Sequence, residues 1–61
     1  MCWANKIRQL RTAMLLTQRE FAKKLGVSFV SVNRWENGIN EPTMRLKRDL
    51  TRLFLRYNII E

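Results

Sequence analysis

The stretch from Thr17 to Gly38, TQREFAKKLGVSFVSVNRWENG, constrains this chain more than any other part of it. The Thr17 hydroxyl can accept a free backbone N–H of the following turn. Glu20, three residues on, completes the reciprocal capping pattern that opens a helix. Phe21, Ala22 and Leu25 then recur at helical spacing. Gly26 closes the segment, because the residue past a helix end often takes a positive φ that glycine adopts cheaply. Ser28 caps a further helix that runs to about Asn37 and stops at Gly38 by the same chemistry. Two short helices joined by one tight turn, at about 17–37, admit few packings. On a strongly basic chain they are the physical means of placing one helix in the major groove of duplex DNA.

The flanking sequence supplies the rest of a core. Trp3, Ile7, Leu10 and Met14 recur at intervals of three and four and predict a helix from about Trp3 to Leu15 with one apolar stripe. After Gly38, Ile39-Asn40-Glu41-Pro42 reads as a loop whose proline fits the first turn of the next helix. That helix is predicted to run from Thr43 to about Tyr57, with Leu46, Leu50, Leu53, Phe54 and Tyr57 on one face. No strand, linker, repeat or low-complexity segment is evident. The expected architecture is a single all-α domain over residues 1–61.

Charge and composition narrow the function classes. Twelve Lys and Arg against five Asp and Glu give a net charge of +7, which favours polyanionic partners because each cation set against a phosphate releases condensed counterions. A chain of 61 residues buries only about 60% of its unfolded surface, so one compact core is the expectation. Cys2 cannot form an intramolecular disulfide, and without histidine a finger-type zinc site is excluded. No apolar run approaches a membrane span, and the start of the chain lacks the apolar segment of a signal peptide. With no histidine, paired carboxylates or activated nucleophile, an enzyme is not expected.

The helix after Ser28 has two distinct sides. At about 100° per residue, with Phe29 at zero, Trp35 and Val32 fall at about 240° and 300° and must face the core. Asn33, Asn37, Val30 and Arg34 fall on the other arc, from about 40° to 140°. Covering the core is the alternative role for Phe29 and Val30.

Several separated landmarks now stand in order: Ile7-Arg8-Gln9-Leu10-Arg11, Leu16-Thr17-Gln18, Phe21-Ala22, Leu25-Gly26-Val27-Ser28, and Arg34-Trp35-Glu36-Asn37-Gly38 followed by Pro42. Together, Ile7 to Pro42 resembles the lambda-repressor-like, Cro-type helix-turn-helix domain, also called the XRE family, over more than half of the chain. The resemblance implies a small four-helix bundle. The usual family domain adds a fifth helix after a glycine-containing loop, but this chain shows no such break.

The resemblance also implies roles for particular residues. Thr17, Gln18, Ser28, Ser31, Asn37 and Asn40 match positions that contact the DNA backbone, and the similar glutamine also braces a base-reading side chain. Base contact falls to Phe29, Val30, Asn33 and Arg34. Arginine can bond guanine O6 and N7 together, and apolar groups can pack on thymine methyls. Many family members carry glutamine or another polar residue where this chain has Phe29 and Val30, so thymine-rich contacts are favoured here. Arg11 and Glu36 match a structural ion pair that pins the reading helix to the first helix.

The expected function is therefore a sequence-specific double-stranded DNA-binding transcriptional regulator. It would act as a repressor by occluding DNA, in the cytoplasm and on the nucleoid, with no cofactor, metal, membrane or small-molecule ligand. Leu55, Ile59 and Ile60 are left over from the last helix's apolar stripe and suggest a homodimer surface. They also support an alternative, an antitoxin-like protein-interaction module whose C-terminal helix docks on a partner. A basic protein binding RNA or single strands without sequence preference is a third reading. It is disfavoured because Trp3 and Trp35 lie on helix faces rather than on an exposed stacking platform.

Overall fold

The computed structural model describes residues 3–59; Cys2 and Ile60, and the roles considered for them, lie outside that range. Four helices follow in order, α1 Trp3–Ala13, α2 Gln18–Leu25, α3 Phe29–Glu36 and α4 Met44–Arg56, with no strand among the described residues. Ile7 and Leu10 of α1, Phe21 and Ala22 of α2, Val32 and Trp35 of α3, and Leu50 and Phe54 of α4 form the buried core. Helix α3 packs against both α1 and α2, and α4 closes the bundle on α1. The Trp3 and Phe54 rings meet at a centroid distance of 5.8 Å across that last contact.

Each later helix is opened by a hydroxyl. Thr17 accepts from the Glu20 amide while Glu20 accepts from the Thr17 amide. Ser28 and Thr43 accept from the amides of Ser31 and Leu46. Pro42 does not sit in the first turn of α4, as its position in the sequence suggests; it precedes the cap residue Thr43 and is buried.

All four helices end in the same way. One or two residues past the helix the chain takes a positive φ, and two amides then reach back to the last turn, which satisfies carbonyls the helix would leave open. Gly26 at φ 74° and Gly38 at φ 72° fill this position after α2 and α3. The equivalent residues after α1 and α4 are Leu15 at φ 59° and Asn58 at φ 56°. The amides of Leu15 and Leu16 reach the carbonyls of Thr12 and Arg11, and those of Asn58 and Ile59 reach Leu55 and Phe54.

These two unglycinated turns account for most departures from expectation. The chain leaves α1 at Ala13 rather than Leu15, and Leu15 is 88% exposed. At the other end, Asn58 turns the chain so that Ile59 folds back against the core. Ile59 therefore packs, partly buried, against the core rather than standing surplus to it, and Tyr57, predicted on the core stripe, is the exposed C-cap of α4. No fifth helix occurs among the described residues.

Candidate nucleic-acid interface

A polar chain at the junction of α1, α2 and α3 fixes the orientation of α3. The Arg11 guanidinium donates from Nε to Glu36 Oε2 at 2.7 Å and from NH2 to Oε1 at 3.0 Å. A third donor, Arg11 NH1, reaches the Leu16 carbonyl at 3.1 Å and ties the turn after α1 to the same group. Gln18 Nε2 donates to Glu36 Oε1 at 3.0 Å, Asn33 Nδ2 donates to Gln18 Oε1 at 3.2 Å, and Asn37 Nδ2 donates to Asn33 Oδ1 at 3.1 Å. From Asn37 inward, each amide donates to the next oxygen, and the sequence ends on a buried carboxylate.

Burial alone would push the Glu36 carboxyl up. Hydrogen bonds from Arg11 and Gln18, with the charges of Arg11 and Arg8, outweigh this and hold it below its ordinary value. The bond to Glu36 raises the Arg11 guanidinium in turn, against the opposing effect of its own burial. Both groups are charged at neutral pH, so the buried carboxylate is compensated by the guanidinium bonded to it.

Arg8 was not singled out from the sequence. Its NH2 donates to the Glu36 backbone carbonyl at 3.0 Å, and its Nε lies 3.8 Å from the same carboxylate. It places a cation on one of the open carbonyls at the C-terminus of α3, where the helix dipole favours positive charge. The signal was its spacing of three from Arg11, which puts both on one face of α1.

The predicted backbone-contacting residues lie near the starts of α2 and α3 and around the end of α3. Thr17 and Ser28 are the two N-caps, and the Ser28 and Ser31 hydroxyls are 3.1 Å apart. Asn37 and Asn40 are exposed beside the turn at Gly38. Gln18 is half-buried, and its amide is joined to both Glu36 and Asn33. The four residues expected to touch bases divide into two pairs. Val30, 51% exposed, and Arg34 project to solvent, opposite the buried Val32 and Trp35. Asn33 is half-buried inside the polar chain, and Phe29 is half-buried with the Arg19 guanidinium carbon 4.6 Å from its ring centroid.

Outside this face, Lys47 is held by Glu41 at 2.7 Å, and Leu55 is 75% exposed on α4. Among the described residues there is no cluster of acidic, cysteine or histidine side chains suited to a metal ion, and no helix is long and apolar enough to cross a membrane.

Comparison with known proteins agrees with this geometry. A family model described as "Helix-turn-helix" matches residues 7–54. The chain is 37% identical over 50 residues to the HTH-type transcriptional activator BcrR of Enterococcus faecalis, covering 82% of this chain and 24% of that protein. It is 50% identical over 39 residues to the HTH-type transcriptional regulator DicA of Escherichia coli, covering 64% of this chain and 29% of DicA. A third relative, an uncharacterized transcriptional regulator in the ATPase CF(0) region of Rhodospirillum rubrum, is 43% identical over 36 residues, which is 59% of this chain and 33% of that protein. The chain thus spans about a quarter to a third of the length of these relatives. No solved structure matches.

Proposed function

The chain belongs to the lambda-repressor-like helix-turn-helix family, and from that membership we propose that it is a sequence-specific double-stranded DNA-binding transcriptional regulator that reads the major groove with α3. The observation that carries this reading is the two-sidedness of α3. Val32 and Trp35 anchor it in the core while Val30 and Arg34 stand clear on the other side, on a helix held in place by the Glu36 chain. Phosphates contacted by Thr17, Gln18, Ser28, Ser31, Asn37 and Asn40 set the register, and the helix N-termini add favourable positive potential. Arg34 bonds a guanine edge, Val30 and Phe29 pack on thymine methyls, and Asn33 positions its neighbours or reaches a base with its remaining N–H. Regulation is by occupancy of the site, which represses where the site overlaps a promoter.

Selection from a random duplex library at about 150 mM salt, followed by footprinting, tests this directly. The expected result is a short enriched motif containing a guanine whose preference weakens by about 1–3 kcal/mol in Arg34→Ala. Binding without enrichment that fades steeply with salt would overturn it.

One observation favours an added protein contact: Leu55 is a large apolar side chain left exposed on α4. If it joins two copies, the enriched motif is an inverted repeat with half-sites about 34–36 Å apart. Leu55→Glu then leaves folding within about 0.5 kcal/mol of wild type but reduces sedimentation to that of the monomer. Unchanged sedimentation in the variant would remove Leu55 from any dimer.

A further inference from the structure

Arg19 has no role in the polar chain around Glu36 and was not a candidate on sequence grounds. Its position is unfavourable for stability alone. It puts a cation in the first turn of α2, where the helix dipole favours an acid. The neighbouring Glu20 is engaged in the capping box with Thr17. Along α2, the residues three and four positions on are Ala22 and Lys23, so its own helix offers no carboxylate and sets a like charge beside it. What holds the guanidinium is the Phe29 ring, 4.6 Å away at the N-terminus of α3. A guanidinium over an aromatic face is attracted by the ring quadrupole. The contact is with a ring rather than with an acceptor atom, so it does not spend the guanidinium's N–H donors.

We infer that Arg19 and Phe29 act as one DNA-reading unit, in which the ring holds the Arg19 guanidinium against the groove to bond a guanine edge while its free edge packs on an adjacent thymine methyl. The inference rests on the proposal that α3 is the groove helix. It follows from the placement of both residues: each stands one turn or less from the start of its helix, and the first turns of α2 and α3 carry Thr17, Gln18, Ser28 and Val30. A flexible arginine on a surface is a poor reader because its rotamers must be frozen on binding. The ring restricts them beforehand. It also gives Phe29 a purpose that a half-buried core residue would not need, since the Phe29 ring is covered on the Arg19 side by a charge rather than by apolar side chains.

The test is the same library selection, run with wild type, Arg19→Ala, Arg19→Lys, Phe29→Leu and the Arg19→Ala/Phe29→Leu double variant, each first checked for an unchanged thermal transition. Wild type is expected to enrich a second guanine next to a thymine, distinct from the Arg34-dependent one. Preference for that guanine falls about tenfold in Arg19→Ala and nearly as far in Arg19→Lys, which keeps the charge but not the planar fork. Phe29→Leu, still apolar, lowers it about two- to fivefold. The double variant is no worse at that position than Arg19→Ala. If Arg19→Ala instead weakens all sequences alike, with a shallower salt dependence, Arg19 is a phosphate contact and the inference is overturned while the groove reading of α3 stands. If wild type enriches no motif, the groove reading fails and takes this inference with it.

Discussion

Replacing Glu36 with glutamine removes one charge and almost no volume from a buried side chain that accepts three hydrogen bonds. The carboxylate accepts two hydrogen bonds from Arg11 and one from Gln18. A glutamine can accept on one side only, so on the other its NH2 faces a donor. Breaking a fully buried ion pair costs about 3–5 kcal/mol, and hydrogen bonds to charged groups are worth about 1.5–3 kcal/mol. The Glu36 side chain is 2% exposed, but Arg11 is 20% and Arg8 54% exposed, so water compensates the stranded guanidinium in part. The expected loss is about 2–3 kcal/mol. For a domain of this size it lowers the melting temperature by on the order of 10–20 °C, out of a total stability of about 3–9 kcal/mol. Acid titration adds an independent signature. Because the folded-state value of Glu36 is depressed, its contribution is complete above the ordinary glutamate value of about 4.3. It is then lost as pH falls through the folded value. Urea unfolding of wild type therefore steepens in pH dependence below about pH 4.3, and Glu36→Gln removes much of that extra slope. In a cycle with Arg11→Met, the double variant loses less than the sum of the two single variants. A Glu36→Gln loss under about 0.5 kcal/mol, the range of an ordinary surface substitution, or an unchanged acid slope, would refute the view that this carboxylate pins α3.

The turn chemistry supplies further tests, each read by thermal or urea unfolding. Leu15→Gly relieves a left-handed leucine at the cost of a more flexible unfolded chain, and with Leu15 exposed no packing is lost; the expected gain is about 0.5–1 kcal/mol, and no gain would mean the turn stores no strain. Gly26→Ala acts in the opposite sense. An added Cβ at Gly26 meets nothing within 4 Å, so the loss of about 1 kcal/mol comes from the backbone conformation alone. Thr17→Ala removes one half of the capping box and costs about 1 kcal/mol, while Thr17→Ser restores most of it.

The helices were legible because their ends carry local chemistry. Thr17 with Glu20, Ser28, Gly26 and Gly38 each mark a boundary that the structure places within one residue of expectation. The end of α1 was not, and α4, which ends within one residue of the expected Tyr57, is followed by a turn that was not, because Leu15 and Asn58 take the glycine-like conformation without being glycine. Nothing local marks Leu15 as a turn residue. What favours the turn there is the return of Leu16 to the core together with the bond from Arg11 to the Leu16 carbonyl, both of them tertiary. Asn58 was a weaker signal of the same kind, since asparagine tolerates a left-handed backbone. Without that turn, Ile59 reads as surplus to the stripe of a straight helix, whereas with it Ile59 packs against the core, partly buried.

At the interface, the wheel separated the buried side of α3 from the exposed one but could not show what occupies the exposed side. Asn33, Asn37 and Gln18 look alike on a wheel: polar side chains able to meet a phosphate or a base. In the fold they donate in series toward Glu36, so part of the hydrogen-bonding capacity of each is already committed before any ligand arrives. Directionality matters here. Because Asn37 donates to Asn33 and Asn33 to Gln18, a phosphate or base that pulled one amide toward itself would have to break a bond to the next, or use the N–H the series leaves over. The polar chain therefore makes the position of α3 depend on the charge of Glu36, and it leaves the freely projecting contacts to Val30 and Arg34, beside the Phe29 ring under Arg19. If α3 reads a groove as proposed, discrimination falls to these few groups rather than to a row of adaptable amides, and the departure from the polar pattern of similar domains then bears on the sequence it can read.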